Sequence, residues 1–222
     1  MTLDPARADD FIRTSTALLS PPHVPEIRLH LADEAIALWE KTEEELHEMG
    51  VPPPFWAFAW AGGQGLARYV LDHPETVVDE TVLDFASGSG LVAIAAMKAG
   101  AASVLAADVD PFCGAAVKLN AAANDVQLEF VHQDLIGKDG GWSIILAGDV
   151  FYDKTLADRL IGWFDRLAAR GAKILVGDPG RTYLPKQELI ALSSYEVPVT
   201  RALEDAEVKR TTVWQWKGKI SS

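Results

Sequence analysis

Cysteine is almost missing from this 222-residue chain: Cys113 stands alone, so no intramolecular disulfide can form. The five histidines, His23, His30, His47, His73 and His132, include no pair at metal-ligand spacing, which leaves a zinc site without ligands. Long hydrophobic runs are also missing, and none approaches the roughly 18 residues that a membrane-spanning helix needs. The opening MTLDPARADDFIRTSTALLS has no apolar run of signal-peptide length, and Asp4, Asp9 and Asp10 are at odds with a mitochondrial transit peptide. Positive charge is scarce: 20 Lys plus Arg face 32 Asp plus Glu, a formal net charge of −12. A protein that grips a phosphate backbone needs clustered cations to displace counterions, so nucleic acid is not an expected partner. These absences predict a protein of a reducing compartment that uses no metal and has neither a nucleic acid nor a membrane as partner.

What is present suits a globular enzyme. Hydrophobic residues make up 49% and charged residues 23% of the chain, enough apolar material for a sizeable core. Residues 1–51 read as an N-terminal extension and 52–222 as the main domain. In the extension, Ile27, Leu29 and Leu31 alternate with polar neighbours like a half-buried strand. Ala35, Leu38, Trp39, Thr42 and Leu46 then follow helical spacing, with Glu43, Glu44, Glu45 and Glu48 on a solvated face. Pro52, Pro53 and Pro54 make a stiff connector.

Beyond Phe55 a strand, turn, helix rhythm repeats, which predicts a parallel sheet covered by helices. Strands are expected at Thr81–Phe85, Ser103–Ala107, Leu128–His132, Ser143–Ala147 and Lys173–Gly177. Helices are expected at Leu91–Ala99, from Pro111 towards Asn124, and over Leu156–Ala169 ahead of Gly171. Tyr195–Thr200 and Val208–Trp216, rich in β-branched and aromatic residues, predict a closing antiparallel pair.

The segment VLDFASGSG, Val82 to Gly90, ends a buried strand in Asp84 and hands over to a small-residue helix. Its glycines let backbone approach a ligand at the carboxyl edge of the sheet. Two ligands compete for it. Gly88, Gly90 and Ala93 satisfy G-x-G-x-x-A, and Asp108 lies 20 residues beyond Gly88, where a ribose-binding acid of a dinucleotide site would sit. The alternative is S-adenosylmethionine, which brings an ammonium and a sulfonium. Asp84 would crowd a doubly negative pyrophosphate and attract those cations, so electrostatics favours the second ligand.

Further carboxylates fall at the same edge. Asp108 can accept from both ribose hydroxyls, and Asp134, in HQDL, from an adenine amino group. Asp110 before Pro111 reads as an N-cap with proline in the first helical position. In GDVFYD, Asp149 ends a central strand where the reactive end of the ligand would lie, and Tyr152 follows three residues on; the N-P-P-Y or D-P-P-Y typical of amide and DNA-base methyltransferases is absent. Four aromatics crowd Phe55 to Trp60, and Trp60 is the choice for a wall of the cofactor site. GDPGR offers Asp178, Pro179 and Arg181 as a substrate-side rim or a plain turn.

Together, PFWAFAWAGGQGLARYVLD, VLDFASGSG, LAADVDP, GDVFYD and ILVGDPGR resemble the methyltransferases that modify lysine in the beta subunit of electron transfer flavoprotein. The resemblance covers roughly Pro25 to Arg181. It implies a Rossmann-like α/β fold with a seven-strand sheet in residues 52–222 and S-adenosylmethionine as methyl donor; relatives in animals act in mitochondria, and the lack of a transit-peptide pattern here predicts instead a bacterial, cytoplasmic enzyme, expected to be a monomer. It implies cofactor contacts at Asp84, Gly88 and Asp108, with the Asp149-x-x-Tyr152 motif at the lysine end; the expected cofactor contacts are completed by Trp60, Ala86, Ser87, Gly90, Asp134 and Asp149, and Asp149 and Tyr152 are the expected catalytic pair. The family loop usually reads acid-x-Gly-x-Gly-x-Gly; here Ala86 replaces the first glycine, and its methyl group predicts a negative φ. Other expected possibilities are methylation of another protein, such as a ribosomal protein, or of a small molecule. An NAD-binding oxidoreductase or a non-catalytic cofactor-binding module is a more distant one.

Overall fold

The computed structural model of the chain describes residues 5–32, 54–199 and 206–218. The helical pattern from Ala35 to Leu46, the glutamate run, Pro52, Pro53 and Thr200 lie outside the described residues. In chain order the elements are α1 (Pro5–Ser15), β1 (Ala17–Leu19), β2 (Leu29–Leu31), α2 (Ala61–Asp72), β3 (Thr81–Phe85) and α3 (Leu91–Lys98). They continue with β4 (Ser103–Asp108), α4 (Cys113–Ala123), β5 (Glu129–His132), β6 (Ile144–Gly148) and α5 (Lys154–Ala169). β7 (Lys173–Asp178), β8 (Leu189–Pro198) and β9 (Val208–Trp216) complete the order.

The main sheet has seven strands in the order β5-β4-β3-β6-β7-β9-β8; β5 to β7 run parallel, and β9 and β8 are antiparallel. The central strands are mostly apolar, as suits a sheet covered on both faces, with Asp84 and Asp178 towards the carboxyl ends of β3 and β7. Val82, Ile144 and Leu146 enter one core with Leu66 and Val70 of α2 and Ile94 of α3. Leu83, Phe85 and Ile145 enter the other, under Leu160, Trp163, Phe164 and Leu167 of α5. The chain winds outward from β3 through β4 to β5, then returns to place β6 on the other side of β3. This reversal opens a crevice at the carboxyl ends of β3 and β6, the place where open α/β sheets hold ligands.

Three element starts moved by two residues or more, each for a local reason. α4 starts at Cys113, because the Asp110 carboxylate accepts the Phe112 N–H at 2.8 Å and folds Pro111 into a turn before the helix. α5 starts at Lys154, capped by Asp153, whose side chain accepts from the Leu156 N–H at 2.8 Å. β8 starts at Leu189 and crosses a register shift between Ala191 and Ser193, which interrupts the alternation a sequence pattern depends on.

Residues 5–32 pack onto this body. α1 sends Ile12 into a cluster with Trp56, Phe112 and Cys113, and β1 and β2 form a short antiparallel pair whose Leu29 joins the α2 and α3 core. Two buried asparagines on and just after α4 bind β2 and its approach. Asn120 accepts the His30 N–H at 2.7 Å and donates to the Ser89 carbonyl at 2.8 Å, while Asn124 accepts from Arg28 N–H at 2.9 Å.

Candidate active site

A cavity of about 510 Å³ lies over the carboxyl edge of the sheet. Trp60, Ala86, Gly88, Asp108, Asp134, Asp149 and Tyr152 all line it, so the fold brings seven of the residues singled out in the sequence together. Asp84 and Ser87 face a smaller adjoining recess that shares Trp60, Ala86, Gly88 and Asp149. Gly90 lines neither; it caps α3 in a left-handed conformation with φ 79°. Strand order sets the acids in a row along the edge: Asp134 after β5, Asp108 on β4, Asp84 on β3, Asp149 after β6 and Asp178 on β7.

Asp84 is 1% exposed, and its carboxylate accepts the Ala93 N–H at 2.9 Å. Burial pushes its pKa up from 3.8 to about 8, the Ala93 bond pulls down, and the Asp108 charge adds to the rise. At that pKa Asp84 is mostly uncharged at pH 7 in the empty site, and a ligand cation beside it would draw it back to the carboxylate. The Ser87 hydroxyl beside it is buried without a protein partner. Ala86 has φ 56°, contrary to the negative angle expected from its methyl group. The Ser87 N–H bond to the Ala107 carbonyl, at 3.1 Å, holds the turn in place, and the fold bears the strain of a left-handed alanine.

Asp108 accepts the Gly88 N–H at 2.9 Å with one oxygen, and the Val109 and Asp110 N–H groups at 2.7 and 3.0 Å with the other. These bonds fix its carboxylate at the cavity wall. Asp134 accepts the Ile136 N–H at 2.9 Å as a turn residue and pairs with Arg159 of α5, a partner the sequence reading did not identify. Partial burial raises its pKa, but the Arg159 and Ile136 bonds outweigh that and hold it below the usual carboxylate range.

Asp149 is the most constrained acid of the row. Its φ is 57°, one oxygen accepts the Gly63 N–H at 2.9 Å, and the other accepts Arg181 Nη2 at 2.7 Å and Nε at 3.2 Å. Gly63 belongs to the first turn of α2, where free N–H groups and the helix dipole both favour an anion. Gly62 makes this approach possible, since a Cβ there would come within 2.5 Å of Asp149 Oδ2. Arg181 lies over the Trp60 ring, 5.7 Å from its centre. The GDPGR segment is therefore part of the cavity, and its arginine is the site residue the sequence reading left undecided.

Tyr152 is 57% exposed at the mouth, its ring centre 6.3 Å from that of Phe55. Burial of its hydroxyl end pushes the phenol pKa up, with the Asp108 and Asp153 charges adding to it. Among the described residues there is no cluster of three or more His, Cys, Asp or Glu side chains able to hold a metal, and no helix is long and apolar enough to cross a membrane.

Comparisons with known proteins agree with this architecture. The family "Ribosomal protein L11 methyltransferase (PrmA)" matches residues 68–161. A ribosomal protein L11 methylase from Lactobacillus delbrueckii subsp. bulgaricus superposes with a TM-score of 0.52 at 21% identity, over 73% of this chain and 81% of that one. Magnesium protoporphyrin IX methyltransferase from Synechocystis PCC 6803, solved with bound S-adenosylmethionine, gives 0.52 at 14% identity, over 83% and 97%. At these identities the structures establish the methyltransferase fold. The electron transfer flavoprotein beta subunit lysine methyltransferase of Xenopus laevis is 39% identical over 214 residues, spanning 93% of this chain and 86% of that protein. That likeness runs nearly the length of the chain, which therefore belongs to the electron transfer flavoprotein beta subunit lysine methyltransferase family.

Proposed function

We propose that this chain transfers a methyl group from S-adenosylmethionine to lysine side chains of the electron transfer flavoprotein beta subunit. The observation that carries this reading is the row of acids along the carboxyl edge of the sheet, with buried Asp84, which a ligand cation would return to its charged form, at the centre. Asp84 and the loop Ala86, Ser87, Gly88 would hold the amino-acid end of the donor, with Gly90 setting the turn into α3. Asp108 would hold the ribose, Asp134 the adenine amino group, and Trp60 would form a wall. When bound, the donor supplies an electrophilic methyl group on a sulfonium.

The residues on the β6 side act on the acceptor. An amine attacks in line only when neutral and within about 3 to 3.5 Å of its target. Neutralising a lysine of pKa about 10.4 at pH 7 costs about 4.6 kcal/mol. Asp149 accepts an N–H of the amine and directs its lone pair, while Tyr152 and Phe55 wall the channel against water. The reading includes a single cofactor-bearing chain in the reducing cytoplasm of a bacterial host, with residues 52–222 as the methyltransferase domain.

The test is incubation with methyl-labelled S-adenosylmethionine and the electron transfer flavoprotein beta subunit, followed by mass spectrometry. Label on lysine is the expected result, and label on arginine, glutamine or nowhere defeats the proposal. The match of residues 68–161 to the ribosomal protein L11 methyltransferase family favours one second reading, a ribosomal acceptor. Label on L11 with none on the flavoprotein subunit would decide for it.

A further inference from the structure

Arg181 is fixed at three points. The Asp178 carboxylate accepts its backbone N–H at 2.7 Å and that of Gly180 at 2.6 Å, which sets the turn. The Trp60 ring lies beneath its guanidinium, and the guanidinium fork closes on one oxygen of Asp149. The second Asp149 oxygen is taken by Gly63 N–H. The carboxylate expected to receive the acceptor amine is thus already half of an ion pair, with its side chain only 11% exposed.

The surrounding charges make that pairing consequential. Asp108 and Asp110 from β4 and its turn, and Asp153 next to Tyr152, are all acids, as is Asp84 from β3, which its burial keeps mostly protonated at pH 7. Asp178 from β7 is buried beside Asp149, and Asp134 is paired with Arg159 of α5 across the cavity. A lysine entering such a ring of carboxylates is favoured as an ammonium, the form that cannot attack. A fixed guanidinium, which keeps its charge at every accessible pH, has the opposite influence.

We infer that Arg181 is a positioning residue for the acceptor: it holds Asp149 as a neutralised pair, so the entering lysine meets a hydrogen-bond acceptor without a full negative charge and more readily leaves its proton to bulk water at the cavity mouth as it enters. The inference rests on the proposed lysine chemistry at Asp149. It assigns the GDPGR turn a task distinct from cofactor binding, since Arg181 controls the protonation of the acceptor.

The test compares Arg181→Gln, Arg181→Lys and Asp149→Asn by pH profiles of kcat, by KM for the electron transfer flavoprotein beta subunit, and by calorimetry of acceptor binding with S-adenosylhomocysteine present. Arg181→Gln is expected to move the acid limb of kcat up by about one pH unit or more, the effect of one charge within about 4 to 6 Å. Acceptor binding should tighten or hold, because a bare Asp149 retains the ammonium. Arg181→Lys, which keeps the charge, should leave the limb within about 0.5 unit of wild type, whereas Asp149→Asn should move it down and weaken acceptor binding. Where Arg181→Gln fails to fold, Arg181→Met, which also removes the charge and keeps an unbranched side chain over the Trp60 ring, is read in its place with the same expected shift. An Arg181→Gln or Asp149→Asn limb that stays in place or moves with the opposite sign, or an Arg181→Lys limb that moves as far as that of Arg181→Gln, overturns the inference. A wild-type chain that methylates no lysine fails earlier, at the proposed function, and takes this inference with it.

Discussion

Replacing Asp84 by asparagine should make the ligand-free protein more stable and its ligand binding worse. The folded protein holds this carboxyl at a pKa of about 8 against 3.8 when unfolded. With about 1.36 kcal/mol for each factor of ten, keeping Asp84 buried at pH 7 costs about 4 kcal/mol. The sign follows from linkage. A carboxyl whose folded pKa is raised destabilises nothing below about pH 4, where both states are protonated. Its penalty then grows between about pH 4 and 8 as the unfolded chain ionises, and levels off above. Asparagine keeps an oxygen for the Ala93 N–H but buries an amide N–H without a partner, a loss of about 1 to 3 kcal/mol. The net gain at pH 7 is about 2 kcal/mol, or roughly 4 to 8 °C in Tm for a chain of this size. Thermal melts at about pH 4, 7 and 8.5, with and without S-adenosylhomocysteine, read all of this at once. The Asp84→Asn protein should melt higher than wild type at the two upper pH values without ligand, lose that advantage at the lowest, and gain little from the ligand. A variant that melts lower than wild type at the highest pH without ligand would refute the reasoning, because Asp84 would then be a well-compensated anion.

Ala86→Gly removes a left-handed alanine worth about 1 to 2 kcal/mol and returns about 0.4 to 1 kcal/mol to the unfolded chain. A Tm rise of roughly 2 °C in calorimetry is expected, and a fall would mean the loop carries no strain. Gly62→Ala forces a Cβ against Asp149 Oδ2 and should destabilise by about 3 kcal/mol, while Gly63→Ala, with nothing within 4 Å, should melt within about 2 °C of wild type. Equal melting temperatures for the two would remove the argument for backbone contact there. Tyr152→Phe keeps the ring beside Phe55 and should slow lysine methylation by less than about tenfold; a larger loss in a radiolabel assay would assign the hydroxyl a chemical role.

The sheet was legible because local composition and burial pointed the same way. Val82, Leu83, Ile144 and Ile145 are apolar on both strand faces, and both faces are covered. Helix starts were less so: Asp110, for all that Pro111 follows it, shapes a turn before its helix, while Asp153, with no proline after it, caps the helix itself. In the site, residue types were readable while their partnerships were not. Asp149 meets Gly63 and Arg181 only because β6, α2 and the turn after β7 converge, and Asp134 meets Arg159 only because α5 passes above it. Ala86 misled because side-chain sterics predict a preference, and the surrounding loop overrides it.

Asn120 has a bearing on how such a chain can be cut or grafted. Its one amide accepts from β2 and donates to the carbonyl of Ser89, in the middle of the glycine-rich loop. A chain trimmed to start at Pro54 would take away the backbone donors of that amide oxygen and of Asn124 and open both to water, and would uncover the apolar surface that Val24, Ile27 and Leu29 now share with α2 and α3. The loop would lose a brace that originates far upstream of it, in β2. Residues 5–32 therefore cannot be exchanged as an independent module, and a shortened enzyme would register their loss as weakened nucleoside binding before it registered any change in acceptor choice.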